Sequence, residues 1–298
     1  MRGAVRHMRS IDGYATNAAL PSDLVAVGEV DGSTDWERAL DSVDVVVHLA
    51  ARVHVMRETR VDLLSDYRCV NVGGSLNLAR QAALVGVRRF IFVSSIKVNG
   101  DGTEGGRPYA ADDSPAPSDP YSISKYEAEI GLSQISLETP LEVAIIRPPL
   151  VYGPGVKANF LSLARWLRKG LPLPLGAIDN RRSFVGVDNL ADLIVATVCN
   201  PAAANQTFLV SDGEDLSTTD LLQRLGLALG KPARLIPVPA AVVMAGAALI
   251  GQDDMARRLL GSLEVDISKT RRVLNWEPPF TVDEQLEKMA LHLLASSE

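Results

Sequence analysis

The sequence predicts an α/β protein built on a doubly wound parallel sheet. Three observations carry this. Strand-like apolar runs alternate with helix-like segments along the first half of the chain. The run Asp44-Val-Val-Val-His-Leu-Ala-Ala51 is apolar without alternation, as in a strand buried on both faces. Small residues or serines stand where the strands should end, where a backbone approaches a ligand.

Asp44 to Ala51 predicts a strand running into a tight loop. Cys69 to Val85 is helical in pattern, and Gly86 is its stop. Arg89 to Ser95 is the next strand. Gly100 to Pro120 is a loop rich in Gly, Pro and Asp. Tyr121 to Leu137 predicts a helix and Leu141 to Arg147 a strand, ended by Pro148-Pro149. Beyond Gly155 the pattern changes. Phe160 to Lys169 reads as an amphipathic helix, and Gly170 to Gly176 as a stiff connection. Short strands and helices follow, with several helices from Thr218 onward. The expected division is residues 1–155 as a dinucleotide-binding domain and 156–298 as a mainly substrate-binding region, with some segments returning to the sheet.

Composition sets outer limits. With 298 residues, 47% of them hydrophobic, the chain has ample material for one large or two unequal domains. It has no basic run and only 5% aromatic residues, which argues against a nucleic-acid partner. Cys69 and Cys199 are far apart and lack metal-ligand spacing, so two buried thiols in a reducing, cytoplasmic setting are expected and no metal is. The longest apolar stretch, Val238 to Ile250, is too short to span a bilayer and predicts a buried or groove-lining helix.

The chemistry concentrates at Tyr121-Ser122-Ile123-Ser124-Lys125. Residues four apart share one helical face, so a phenol and an ammonium are brought together. A free tyrosine has a pKa of about 10, too high for a base near neutrality, and a nearby cation would lower it. Ser94 and Ser95, at a predicted strand end, can hold a substrate oxygen beside it. Such a group moves a proton on or off an alcohol while a hydride moves elsewhere.

Several segments together resemble the extended short-chain dehydrogenase/reductase family, in its NAD-dependent epimerase/dehydratase group acting on nucleotide sugars. They are Val47-His48-Leu49-Ala50-Ala51, Asn71-Val72-Gly73-Gly74, Phe92-Val93-Ser94-Ser95, Tyr121-x-x-x-Lys125, Arg147-Pro148-Pro149-Leu150-Val151-Tyr152-Gly153-Pro154, Arg182-Ser-Phe-Val and Leu274-Asn275-Trp276-Glu277-Pro278. Seven pieces in order are far more specific than any one. The resemblance implies a Rossmann-like sheet and NAD or NADP as cofactor. It makes Tyr121 the acid/base, with Lys125 lowering its pKa and holding the nicotinamide ribose, and Ser95 the holder of the reacting oxygen. Ser94 competes for that role and counts as cofactor-binding. Leu49, Ala50 and Ala51 pass under the cofactor, core packing being the alternative for Leu49. Arg6, Glu29, Val30, Asn71 and Pro148 complete the cofactor set, with a structural hydrogen bond as the safer reading of Asn71. Asn159 and Arg182 match positions that hold the substrate diphosphate. A nucleotide-sugar partner, UDP-linked, and a homodimer through the Tyr121 helix are implied.

Two departures stand out. No Gly-x-x-Gly-x-x-Gly turn precedes Asp44, although such folds hold the pyrophosphate there. Met1 to Arg6 instead resembles the family's second strand, and Arg6 at its end suits a 2′-phosphate. The expectation is a chain lacking its first βα unit, with two unpaired inner strand edges and impaired cofactor binding. Secondly, Ile96-Lys97-Val98-Asn99-Gly100 follows Ser95 without the acid pair of the family's dehydratases, so dehydration is disfavoured. The leading expectation is an epimerase at C4 of a UDP-sugar, through a transient 4-keto sugar. A 4-ketosugar reductase and a catalytically silent binding member of the fold remain open.

Overall fold

The computed structural model describes residues 1–7, 23–53, 62–156, 158–249 and 251–295, without the side chains of 158, 159 and 254. The described chain separates into two compact units. The first comprises Met1–Val98, Pro115–Arg147 and Thr197–Thr207; the second comprises Asn99–Ser114, Pro148–Ala196 and Phe208–Glu298.

In the first unit, β1 (Arg2–Val5) and β2 (Asp23–Ala26) pair in parallel. After α1 (Glu37–Leu40) comes β3 (Val45–His48). Then α2 (Leu63–Tyr67) runs through a π-helical turn, Arg68–Gly74, into α3 (Ser75–Leu84). β4 (Arg89–Val93), α4 (Pro120–Glu138) and β5 (Glu142–Arg147) follow. β3, β4 and β5 pair in parallel, and the sheet order is β3-β4-β5-β8, where β8 is Gln206–Leu209.

The predicted helix from Cys69 is thus the second half of a longer one. Its π turn has no signature in the apolar periodicity, and such turns recur at functional positions. β4 is the central strand: Phe90, Ile91 and Phe92 are all fully buried. Phe90 and Phe92 join Leu78, Ala128, Leu132 and Val143 in one core.

Among the described residues β1 pairs only with β2, and β3 pairs on one side only, with β4. Each therefore carries an open edge. Residues from both pieces, including Arg2, Val25, Val43, Asp44 and Gly86, line one cleft of about 960 Å³.

The second unit contains β6 (Leu150–Tyr152), α5 (Ala158–Arg168), β7 (Arg182–Gly186), the greater part of α6 (Val187–Cys199) and β9 (Asp215–Leu216). It continues through α7 (Thr218–Ala228), α8 (Ala240–Leu249), α9 (Asp253–Leu260), α10 (Ser268–Leu274) and α11 (Val282–Ala295). β6 and β7 are parallel, and β9 joins β7 antiparallel. Tyr152, Phe160 and Phe184 stack at the heart of its core, with Leu222, Leu286 and Met289 around them.

Two expectations are corrected here. α8, expected to be buried or groove-lining, is not buried: none of its residues is. Cys69 and Cys199 are free thiols as expected, but both are exposed rather than buried. No described helix is long and apolar enough to cross a membrane.

Candidate active site

The start of α4 is set by its own sequence. Asp119 caps the helix: its Oδ1 accepts from the Ser122 backbone N–H at 2.7 Å, and the Ser122 hydroxyl answers the Asp119 N–H at 3.1 Å. Pro120, with its fixed φ and missing N–H, occupies the first turn. This reciprocal box holds Tyr121 in the first turn of the helix. Lys97 adds a short ion pair to Asp119 from the segment after β4. Burial pushes the Asp119 carboxyl up, but hydrogen bonds from Lys97 and Ser122 and the Lys97 charge bring it down to about 2.

The Ser95 side chain stands beside the Tyr121 phenol. Its ring meets Tyr67 edge-on, with centroids 6.1 Å apart and planes at 70°. Burial first, then the Asp119 charge and Tyr67, raise the phenol to about 12 against a lowering influence from Ser95. Lys125 does not figure among these influences. Lys125 is almost wholly buried, and its Nζ donates to the Val93 carbonyl at 2.8 Å, lying 3.8 Å over the Phe92 ring. Burial lowers its own pKa to about 7, opposed by the charge of Glu129, so it is only partly cationic at neutral pH.

One turn beyond Lys125, Glu129 forms a buried ion pair with Arg147 at the end of β5. Arg147 Nε and Nη2 reach the two carboxylate oxygens at 3.0 and 2.5 Å. This pair clamps α4 to the sheet beside the site. The spacing Tyr121, Lys125, Glu129 was available in the sequence as an i, i+4, i+8 stripe, but the partner Arg147 was not.

Ser94 and Ser95 divide their roles. Ser95 faces Tyr121. Ser94 is 4% exposed, its N–H donates to the Ile146 carbonyl at 2.7 Å, and its hydroxyl has no hydrogen-bond partner among the described residues. A buried hydroxyl without a partner is costly and marks a place where another polar group belongs.

At the end of β3, Leu49 is 64% exposed and Ala50 is exposed, which removes core packing as the role of Leu49. Ala51 is partly buried. His48, just before them, is buried, shares a 2.9 Å hydrogen bond with the Ser75 hydroxyl and stacks on Phe92. Burial, then the Lys125 charge, lower its pKa to about 3, so it is neutral. Arg6 and Glu29, both exposed, pair at 3.3 Å just beyond β1 and β2. Val30 is buried against Gly74, where any Cβ would come within 2.9 Å of a Val30 methyl. Its side chain is therefore committed to packing.

Asn71, in the π turn, is also committed. Its Oδ1 accepts from the Arg52 N–H at 2.8 Å, and its amide donates to the Arg52 carbonyl and to the Ser124 hydroxyl at 3.1 and 2.9 Å. Ser124 donates in turn to the Tyr121 carbonyl at 2.7 Å. Asn71 thus ties the loop after β3 to the first turn of α4.

In the second unit, Pro148 is buried just after β5. Arg182 donates to the Arg258 and Gly261 carbonyls at 2.7 and 2.9 Å, closing the carboxyl end of α9. Burial lowers its pKa. The backbone of Asn159 lies in α5, and its side chain lies outside the described residues. Among the described residues no cluster of His, Cys, Asp and Glu could hold a metal ion.

The profile of the NAD dependent epimerase/dehydratase family matches residues 8–211. A UDP-glucose 4-epimerase of Vibrio cholerae is 47% identical over 299 residues, covering 100% of this chain and 88% of its own. Among solved structures, a UDP-glucuronic acid 4-epimerase from Bacillus cereus in complex with NAD superposes with a TM-score of 0.74, at 20% identity, over 97% of this chain and 86% of that one. RMD from Pseudomonas aeruginosa complexed with NADPH superposes with a TM-score of 0.71, at 21% identity, over 98% of this chain and 99% of that one.

Proposed function

This chain belongs to the NAD dependent epimerase/dehydratase family, and from that premise we propose that it is an NAD(P)-dependent nucleotide-sugar epimerase acting at C4 of a UDP-sugar through a transient 4-keto sugar. The observation that carries the reading is the Tyr121 phenol with the Ser95 side chain beside it and Lys125 one turn further along the same helix.

The residues present suit a dinucleotide at the strand ends. The Ser94 hydroxyl awaits a polar partner, the exposed Leu49 and Ala50 leave the backbone after β3 open to close approach, and Arg6 with Glu29 stands at the ends of β1 and β2. When bound, NAD(P) supplies the hydride acceptor and donor for the sugar carbon.

The protein's own part is proton transfer and positioning. Tyr121 takes the proton of the sugar 4-hydroxyl as phenolate and returns it as phenol. Ser95 holds the reacting oxygen by a hydrogen bond that strengthens as that oxygen gives up its proton and gains negative charge. A free phenol at about 12 is a poor base, so a rise in the charge of Lys125 on ligand binding is what this site needs to bring it down. Lys125, poised at about 7, is able to provide that rise by gaining a proton. Asn159 and Arg182 remain the proposed holders of the substrate diphosphate. For Arg182 this requires its bonds to the end of α9 to be shared or exchanged. The reading also places the enzyme in the cytoplasm.

The test is incubation with UDP-glucose and UDP-galactose, with and without added NAD+ or NADPH. Interconversion without net cofactor use is expected. Oxidation of one NADPH per 4-keto sugar consumed, with no interconversion, would replace the epimerase by the reductase. No turnover of either kind would leave the silent member of the fold.

A further inference from the structure

From Leu235 to Gln252 no residue is charged, and this stretch contains α8, Ala240–Leu249. Every side chain of α8 is apolar or absent, on all sides of the helix, yet none of its residues is buried. Val242 is 58% exposed and Leu249 89%. Ile236 just before it, Met255 just after it and Leu171, on the segment that bridges in parallel from Leu173 to Leu235, are also exposed. The helix is attached to the core through Val243 and to α9 along its length. A helix apolar all round ordinarily lies in an interior or in lipid. Scattered exposed apolar residues need no explanation, but a whole helix of them does.

The charges around it decide the occupant. Lys231 and Arg234 precede the apolar stretch, and Arg257 and Arg258 follow it on α9; all four are exposed. Arg234, Arg257 and Arg258 have no salt bridge among the described residues, and Lys231 Nζ donates only to a backbone carbonyl, that of Arg168. The flank also carries two acids, Asp253 and Asp254, so its bases are in excess. An apolar bar framed by four exposed bases, more than its acids, complements an anionic lipid surface. A second copy is a poorer match, because a two-fold contact would set these four bases against themselves. At about 1.5 Å per residue α8 is roughly half a bilayer core in length, so it lies along the surface rather than across it.

We propose that α8 is a membrane-surface anchor, lying in the headgroup–acyl boundary of an anionic bilayer with Lys231, Arg234, Arg257 and Arg258 against headgroup phosphates.

The full chain is to be sedimented with vesicles of phosphatidylcholine alone and of phosphatidylcholine with about a third phosphatidylglycerol. Binding to the anionic vesicles, at least fivefold above the neutral ones and falling as salt is raised, is expected. Val242→Asp/Leu249→Asp changes two exposed positions, so the melting temperature should stay within a few degrees while vesicle binding falls at least tenfold. Arg257→Glu/Arg258→Glu should lower binding to anionic vesicles alone. In Ala245→Trp, the new indole should shift to shorter wavelength when anionic vesicles are added. Three results would each overturn the proposal: no sedimentation with anionic vesicles at low salt, unchanged binding by the aspartate variant, or a dimer that the aspartate variant splits in a protein that ignores vesicles.

Discussion

The Lys125 ammonium donates to the Val93 carbonyl at 2.8 Å, from a helix to the end of the central strand beneath it. The bond costs the lysine its water, and burial lowers its pKa to about 7. In the unfolded chain a lysine titrates near 10.4.

Stability should therefore rise with pH across this interval. Below about pH 7 both states hold the proton and the folded state bears the full cost of a buried charge. Between about pH 7 and 10 the unfolded chain binds a proton the folded one does not, so unfolding becomes harder. Lys125→Met should remove this slope. Urea unfolding at pH 6.5, 8 and 9.5 should show the wild type gaining on the order of 2 kcal/mol more than the variant. Parallel curves for the two proteins would count against a buried, low-pKa lysine.

Tyr121→Phe keeps the ring against Tyr67 and deletes the hydroxyl beside Ser95. Stability should change by about 1 kcal/mol or less, the net worth of one hydrogen bond. Turnover of UDP-glucose should fall by roughly 10²- to 10⁴-fold, the usual share of a positioned acid/base. Steady-state rates together with thermal melts check both statements.

Glu129 and Arg147 are each almost wholly buried, so either without the other leaves an uncompensated charge in the interior. Glu129→Gln or Arg147→Met should cost about 3–5 kcal/mol in urea unfolding. The double variant Glu129→Leu/Arg147→Met should recover a good part of that loss, because the cost lies in the orphaned charge rather than in the missing attraction.

Asp119→Ala removes the cap of α4 and the partner of Lys97. A loss of about 1–2 kcal/mol is expected from the cap alone. The wild-type carboxyl is held near 2, below its unfolded value of about 3.9, so its contribution is present above that value and fades as pH falls toward 2. Acid unfolding should thus show the gap between wild type and Asp119→Ala closing between about pH 4 and 2.

Much of the site was legible because its determinants are local. Asp119-Pro120-Tyr121-Ser122 specifies a capped helix start, and four-residue spacing puts Tyr121 and Lys125 on one face whatever surrounds them. Arg89 to Val93 reads as a strand buried on both faces, and that is where Ser94 and Ser95 acquire their position. The partners contributed by distant chain were not legible. Nothing in the spacing says that Asn71 spends its amide on Arg52 and Ser124, or that Val30 packs into the space left by Gly74. The periodicity from Cys69 conceals the π turn that aims Asn71, since one extra residue per turn barely disturbs an apolar stripe.

The sequence by itself determined the order of strands and helices, the chemical identity of the proton-transfer group and the absence of the dehydratase acid pair. These follow from backbone periodicity, capping and residue type, which act over a few residues. The tertiary structure decided where each polar group finds its partner. It bound Lys125 to the Val93 carbonyl, engaged Arg182 at the end of α9, left the Ser94 hydroxyl unmatched and set α8 in the open. Those outcomes depend on burial and on contacts between residues remote in the chain, and burial governs both the charge state of a group and whether its hydrogen bonds must be met within the protein.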